Sequence, residues 1–261
     1  MGSSIVQGRY WGMRASDWAE FQEACVKECY LDVIELFAPL DGVRLLDVGC
    51  AAGVFAKLAS ERGATVAGID ASSELLEIAV KQAPGVDFRV GEMEELPYPD
   101  DSFDIATGFN AFQYASDPVN ALREAARVVK PGGKVVRMTW GRPDQVEAVA
   151  YVRALGATLP PPEPGKPNSF ALAEPGALED VMAKAGMEPG ERHEVACPWI
   201  YADYDAAIRG LLASGQATKA IEYSGLDAVT AAISQGLEPF RQDDGSYVMR
   251  NVFHYVAATV V

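Results

Sequence analysis

Apolar residues return along this chain with two different periods, and the switches between them mark out its elements. Trp18, Phe21, Cys25, Cys29, Val33 and Leu36 recur every three or four residues, which gathers them on one face of a helix. Asp17 and Glu20 stand three apart at its start, the capping-box spacing with Asp17 as N-cap, and Pro39 closes it. One helix of about twenty residues is predicted there, preceded by an aromatic, irregular stretch, "RYWGMRAS". Short apolar runs and helical stretches then alternate. Strands are predicted at 43–49, 65–70, 86–91, 103–108 and 134–140. Helices are predicted at 54–62, stopped by Gly63, at 72–82, and from Asp117-Pro118, an N-cap followed by proline in the first turn, up to "KPGG". Strands separated by helices imply a parallel sheet joined by right-handed crossovers.

Past Trp140 that alternation breaks. "LPPPEPGKP" (159–167) suits neither sheet nor helix and is expected to be an irregular, mobile loop. A helix over 174–186 and a strand over 191–199 follow, and then an alanine-rich helical region over 203–240 with glycine breaks at 210, 215 and 225. The stretch 245–261 is predicted as a turn and one long apolar strand. Helices interposed before the last strands predict a helical cap over the sheet.

Charge and cysteine content narrow the partners. The 261 residues, 49% hydrophobic and 23% charged, provide for a sizeable core. With 22 basic against 37 acidic residues, net −15, and lysines and arginines scattered singly, the chain repels phosphate backbones, so nucleic acid is not expected as a partner. Cys25, Cys29, Cys50 and Cys197 carry no Cys-x-x-Cys or histidine cluster, so free buried thiols are expected and no metal site. The N-terminus lacks the basic and apolar regions of a signal peptide, Val6 breaks the myristoylation pattern, and no run reaches about 18 apolar residues. A soluble, cytoplasmic chain without membrane contact is the expectation.

The candidate chemistry lies in "LLDVGCAAGVFAKLA" (45–59), a buried strand, a glycine-bearing turn and a helix. Ala51 and Val54 break the Gly-x-Gly-x-x-Gly dinucleotide fingerprint, and no Gly-Lys-Ser/Thr follows, so pyrophosphate is disfavoured. Asp47 ends the first strand where a phosphate would sit, which suits a cationic ligand, an ammonium or sulfonium. Asp70 ends the second strand, placed to accept from both hydroxyls of a ribose, and Glu92 follows the third, within reach of an adenine amino group.

On these residues the chain resembles the class I S-adenosylmethionine-dependent methyltransferases. "LLDVGCAAG" resembles their Asp-x-Gly-x-Gly-x-Gly motif with Ala51 for a glycine, and Asp70 matches their acidic residue after strand two. "GEMEELPYPDDSFDIATG" resembles their acidic Leu-Pro segment, with Glu92 for the common Asp and Met93 beside the adenine, and "ALREAARVVKPGGKVV" resembles the next helix and strand of that family. The likeness covers about residues 40–140, and the flanks are similar, more loosely, to small-molecule methyltransferases of the ubiquinone-biosynthesis-like group. It implies an α/β fold: a Rossmann-like, doubly wound, mostly parallel seven-stranded sheet with a helical cap inserted before the last strands. It divides the chain into an N-terminal helical segment over the active site (1–40), a cofactor-binding core (41–140), a substrate cap or lid with returning sheet elements (141–240) and a C-terminal strand of the core sheet (241–261). S-adenosylmethionine is the implied cofactor, with Asp47, Gly49, Ala51, Gly53, Asp70, Ala71, Glu92, Met93 and Asn110 as its expected binding residues. No metal is expected.

The acceptor is read from topology. Residues after strands four and five face the cofactor side, so Tyr114 and Gln113 are catalytic candidates, and His193, on a strand face with Val195 and Cys197, is the third. Tyr10, Trp11, Tyr114 and Trp140 are the expected substrate wall, while His254 and Asp104 are read as structural. No histidine follows strand four, so methyl transfer is expected to rest on proximity, orientation and desolvation of a small acceptor at O, N or C. Two alternatives stay open: a protein of this fold that keeps S-adenosylmethionine for a decarboxylation or cyclisation, and a binding module without catalysis. A monomer or homodimer is expected.

Overall fold

In the computed structural model, which describes residues 2–161 and 168–261, the predicted alternation becomes one seven-stranded sheet. Its strands are β1 (Arg44–Val48), β2 (Thr65–Asp70), β3 (Asp87–Val90), β4 (Phe103–Phe109), β5 (Val129–Trp140), β6 (Met187–Ala196) and, after two short strands β7 (Trp199–Tyr201) and β8 (Tyr247–Met249), β9 (Val252–Val260). The order is β3-β2-β1-β4-β5-β9-β6. Strands β1 to β5 run parallel, and β9 is antiparallel to both β5 and β6. Since β1 pairs with β2 on one side and β4 on the other, the winding reverses at β1, and ligands of such sheets bind at the carboxyl ends of the strands there.

The helices are α1 (Ser4–Gly12), α2 (Ala15–Asp17), α3 (Lys27–Leu36), α4 (Val54–Ser60), α5 (Ser73–Gln82), α6 (Pro118–Val128), α7 (Val149–Gly156), α8 (Ala177–Lys184), α9 (Tyr204–Leu212), α10 (Gly215–Ser224) and α11 (Leu226–Leu237). Their starts follow capping chemistry. The Ser72 hydroxyl accepts the Leu75 amide at 3.2 Å, and the Asp117 carboxylate accepts those of Val119 and Asn120, both at 3.0 Å, with Pro118 in the first turn. One face of the sheet buries Leu45, Val136 and Met138 with α3, α4, α7 and α9 to α11. The other buries Leu46, Ala106 and Val135 with α6 and α8.

Five sequence expectations change. "RYWGMRAS" begins inside a helix, α1, not in an irregular stretch. Its buried contacts fall on Gly8, against the Ala71 carbonyl, while Ile5 and Val6 are exposed, so no apolar stripe marks it. The single helix from Asp17 is instead a π-helical turn (Trp18–Gln22), a 3-10 stretch (Glu23–Val26) and α3. Asp17 is no N-cap: it has helical dihedrals and takes the Arg209 guanidinium at 2.7 Å, and Leu36, expected on the buried stripe, is exposed. The last long strand divides at Arg250-Asn251. Buried Asn251 holds the break by accepting the Ala148 amide at 2.9 Å and donating to the Met249 carbonyl at 3.2 Å, so β8 leaves the main sheet to pair with β7. Of the proline-rich segment 159–167, residues 162–167 lie outside the described residues. As expected, Asp104 is structural, accepting the Arg44 amide and the Lys130 ammonium, and His254 is a buried histidine within reach of Gln145 and Arg192.

Candidate active site

The strand-one motif folds into a turn that its backbone dihedrals dictate. Gly49 and Gly53 both have left-handed φ, +73° and +86°, and a side chain on Gly49 would begin 2.5 Å from the Ala111 methyl. Ala51, between them, also has positive φ, +47°, a conformation that disfavours any residue with a Cβ. The turn is tied to β2, since the Gly49 and Cys50 amides both donate to the Ile69 carbonyl.

Three carboxylates surround it. Asp47, at the end of β1, is buried and accepts the Thr107 hydroxyl at 2.8 Å. Asp70, at the end of β2, accepts the Ala51 amide at 2.9 Å on one oxygen and the Ser72 amide at 2.8 Å on the other. The third is Glu23, from the N-terminal segment, whose two oxygens accept the Ala52 and Val54 amides, each at 2.9 Å. Burial pushes all three carboxyls up from the ordinary carboxylate range, Glu23 to about 8 and Asp47 to about 7. In Glu23 the neighbouring Asp47 and Asp70 charges add to that shift, and in Asp70 the amide donors oppose it. Among the described residues no lysine or arginine hydrogen bonds to any of the three. A group of acids without a cation, Glu23 and Asp47 buried and Asp70 half-buried, suits a cationic ligand. The amides that a phosphate would need are already held by Glu23 and Asp70.

Beyond β2 the expected adenosine residues stay close to the N-terminal helix. Glu92 accepts the Ser4 amide at 2.7 Å and the Glu94 amide at 3.1 Å, so it holds the start of α1. Met93 packs against the core beside Leu96 and Tyr98, and the Ala71 carbonyl lies against Gly8. Arg9 of α1 pairs with Glu222 of α10, which leaves α1 as a strap from Glu92 to the cap helices.

After β4 the lining becomes aromatic. Asn110 has left-handed φ, +50°, and its side-chain oxygen accepts the Gln113 amide group at 3.4 Å, while the Gln113 Oε1 is buried without a partner among the described residues. Tyr114 meets Trp11 edge-on, centroids 5.3 Å apart, and Trp11 meets Trp18 at 4.7 Å. Burial pushes the Tyr114 phenol up to about 12. Gly215, at the start of α10, lies so close to the Trp11 indole that a side chain there would begin 2.6 Å from its nitrogen. The Trp18 indole N–H is buried and, among the described residues, unpartnered.

The structure therefore brings Asp47, Gly49, Ala51, Gly53 and Asp70 together at the turn, and Trp11 and Tyr114 together at the wall. Other expected residues stand apart. Trp140 stacks on Phe253 at 4.7 Å with Trp199 and Phe170, a separate aromatic cluster. The Tyr10 ring lies under the Arg9 guanidinium. His193, on edge strand β6, stacks on Tyr255 at 4.5 Å and is not brought to the turn or the wall. Glu23 was missed by sequence reasoning, and on a regular helix nothing distinguishes it from a solvated glutamate.

Comparison with known proteins agrees with this geometry. A family model described as a methyltransferase domain matches residues 46–137, from the β1 motif to β5. The ubiquinone biosynthesis O-methyltransferase of Paracidovorax citrulli is 33% identical over 198 residues, 71% of this chain and 82% of that protein. The chain belongs to the class I S-adenosylmethionine-dependent methyltransferases. This methyltransferase shares its fold with an S-adenosylmethionine-dependent methyltransferase from Aquifex aeolicus (TM-score 0.56, 17% identity, 95% of this chain and 98% of that one). The cyclase SpnF is another structural neighbour (TM-score 0.56, 23% identity, 89% and 80% covered). The cofactor of the methyltransferase is S-adenosylmethionine, and the residues present fit it: Glu23, Asp47 and Asp70 gather at the turn with no lysine or arginine hydrogen-bonded to them among the described residues, a lining that suits a cationic group. Among the described residues no helix is long and apolar enough to cross a membrane, and no group of side chains could hold a metal ion.

Proposed function

We propose that this methyltransferase alkylates a small-molecule acceptor, a phenolic or enolic oxygen, held against the Trp11–Tyr114 wall while the turn after β1 holds the cofactor. The observation that carries the reading is the pairing of that wall with three cation-free carboxylates at the switch point, Glu23 and Asp47 buried and Asp70 half-buried. The oxygen acceptor is supported by the named activity of the Paracidovorax relative, an O-methyltransferase.

Asp47, Gly49, Ala51 and Gly53 receive the methionine end, Asp70 with Ala71 the ribose, and Glu92 with Met93 the adenine, each in keeping with its place at a strand end. Asp70 keeps a free lone pair on each oxygen for the ribose hydroxyls. The cofactor, when bound, supplies a methyl group already activated by positively charged sulfur. What remains for the chain is to orient the acceptor and exclude water, since charge on sulfur disappears as the methyl leaves. Trp11 and Tyr114 give an apolar wall. Tyr114, with its phenol at about 12, stays neutral near pH 7 and orients a substrate by donating a hydrogen bond. The unpartnered Gln113 Oε1 accepts from an acceptor hydroxyl. Asn110 fixes the Gln113 amide. Helices α7 and α9 to α11 form the substrate cap, with α10 closing on Trp11 through Gly215. Neither histidine stands at the wall, so the acceptor is one acidic enough to lose its proton without a strong base.

Mass spectrometry of mixed phenols, enols and amines, incubated with the protein and S-adenosylmethionine, tests this. The expected result is an oxygen acceptor that gains one methyl with an equal amount of S-adenosylhomocysteine formed. Conversion of a substrate with S-adenosylmethionine unconsumed would place the protein among the non-methylating users of the cofactor instead.

A further inference from the structure

Glu23 is the one buried acid at the turn that does not come from the sheet. The core motif provides Asp47 and Asp70 from β1 and β2, whereas Glu23 arrives from the 3-10 stretch just after the π-helical turn at Trp18–Gln22. Ideal α-helical geometry would leave position 23 off the stripe formed by Trp18, Phe21 and Cys25. The wide π turn shifts the phase of the next residues, and Gln22 and Glu23 become buried. Gln22 accepts the Tyr201 hydroxyl at 2.7 Å, and Glu23 spans two amides of the turn, so the shifted segment is fixed on both sides. The groups facing the Glu23 carboxylate are Asp47 of β1, Asp70 of β2 and the Tyr30 phenol of α3, with Cys50 in the turn itself. None of these carries positive charge.

This placement has a chemical consequence. The first amides of a helix attract anions, and the same turn in nucleotide-binding proteins cradles phosphate. Here a carboxylate of the chain fills those amides, adding negative charge where a diphosphate would otherwise go. We propose that Glu23 is a positioning and specificity residue of the cofactor site: its carboxylate, fixed on the Ala52 and Val54 amides, makes the turn selective for the cationic methionine end of the cofactor over neutral or anionic nucleosides. The inference rests on the reading that S-adenosylmethionine binds at this turn. Burial and the neighbouring acids hold Glu23 and Asp47 partly protonated near neutral pH, so a cation settling there expels protons.

Calorimetry of the full chain tests it with three ligands that share one nucleoside: S-adenosylmethionine, S-adenosylhomocysteine and the uncharged methylthioadenosine. In the wild type, S-adenosylmethionine binding is expected to tighten as pH rises from 6 to 8.5 and to release protons, read from buffers of different ionisation enthalpy. Methylthioadenosine is expected to do neither. Glu23→Gln keeps the size and one acceptor oxygen. It is expected to weaken S-adenosylmethionine about tenfold or more, methylthioadenosine less than twofold, and to flatten the pH dependence. A loss on S-adenosylmethionine alone assigns the effect to the sulfonium, and an equal loss on S-adenosylhomocysteine assigns it to the ammonium. Both support the proposal. Equal weakening of all three ligands would make Glu23 a structural cap and overturn it. If Glu23→Gln does not fold, the wild-type titrations decide: cation binding without proton release overturns the proposal. Failure of the wild type to bind any of the three would instead overturn the assignment of the cofactor to this turn.

Discussion

Around the turn after β1 the candidate site is lined by carboxylates held by backbone amides and a hydroxyl, whereas after β4 it is lined by aromatic rings that hold one another. Asp70 and Glu23 fix the turn through amide bonds of 2.8 to 2.9 Å, Asp47 is held by the Thr107 hydroxyl at 2.8 Å, and in the proposed function these acids meet the cationic end of the cofactor. Tyr114, Trp11 and Trp18 are placed by ring contacts of 4.7 to 5.3 Å and carry no charge near pH 7. In the proposed function one region reads a ligand by electrostatics and geometry, and the other shapes a dry space beside it. Damage to the first should appear as lost affinity or lost fold. Damage to the second should appear as lost turnover.

The largest effect is expected from Gly53→Val. The site has φ +86°, and its Cβ would meet Ala79 and Phe88 at 3.0 Å, so strain and overpacking add. A loss of roughly 3 kcal/mol, or about 8 °C in melting temperature, is expected by calorimetry, with cofactor binding impaired. A normal melting temperature would make Gly53 an incidental turn glycine.

Asp70→Ala comes next. Removing an ionised acceptor from two ribose hydroxyls is expected to cost about 1–3 kcal/mol of S-adenosylmethionine affinity, roughly 5- to 150-fold, with the fold retained. Affinity equal to the wild type would take Asp70 out of the site.

Titration of the turn itself supplies a third test. Glu23 and Asp47 have folded-state values raised to about 8 and about 7, against ordinary values of 4.5 and 3.8. Between those limits these two groups bind more protons in the folded protein than in the unfolded chain, so their contribution to stability falls as pH rises through about 4 to 8. Without ligand the melting temperature is expected to be lower at pH 8.5 than at pH 6, and saturating S-adenosylmethionine should shrink that difference. A melting temperature that rises over this range would mean that the two acids are ionised and paired in the ligand-free protein.

Smaller effects belong to the wall and to Ala51. Tyr114→Phe is expected to cost at most about tenfold in turnover, and Tyr114→Ala more, both with unchanged cofactor affinity. Abolished turnover in Tyr114→Phe would make Tyr114 a proton-transfer residue. Ala51→Gly relieves the φ of +47° at the cost of a more flexible unfolded chain, a net gain of about 0.5 kcal/mol, or roughly 1–2 °C.

The same contrast explains what the sequence made legible. Asp47 and Asp70 could be placed because a parallel strand puts its last residue at the ligand edge, whatever the rest of the fold does. The glycines of the turn were readable for the same local reason. Glu23 was not, because its burial depends on a π turn that no local pattern announces. Helix α1 escaped because its close contacts are made by glycines, which leave no apolar signal. The aromatic side failed in a third way. Trp140 does end β5, but its neighbours Phe170, Trp199 and Phe253 come from three distant segments, and only their packing decided which cluster it joined. Strand-end chemistry is local, whereas cavity walls are tertiary.

The central claim is that the charged turn and the aromatic wall meet at the transferable methyl group. It can be measured by nuclear Overhauser contacts from the isotope-labelled methyl of S-adenosylmethionine bound to the intact protein. The account expects contacts from that methyl to the ring protons of Tyr114 and Trp11. Contacts confined to the Trp140–Phe253 cluster, with none to Tyr114 or Trp11, would contradict it.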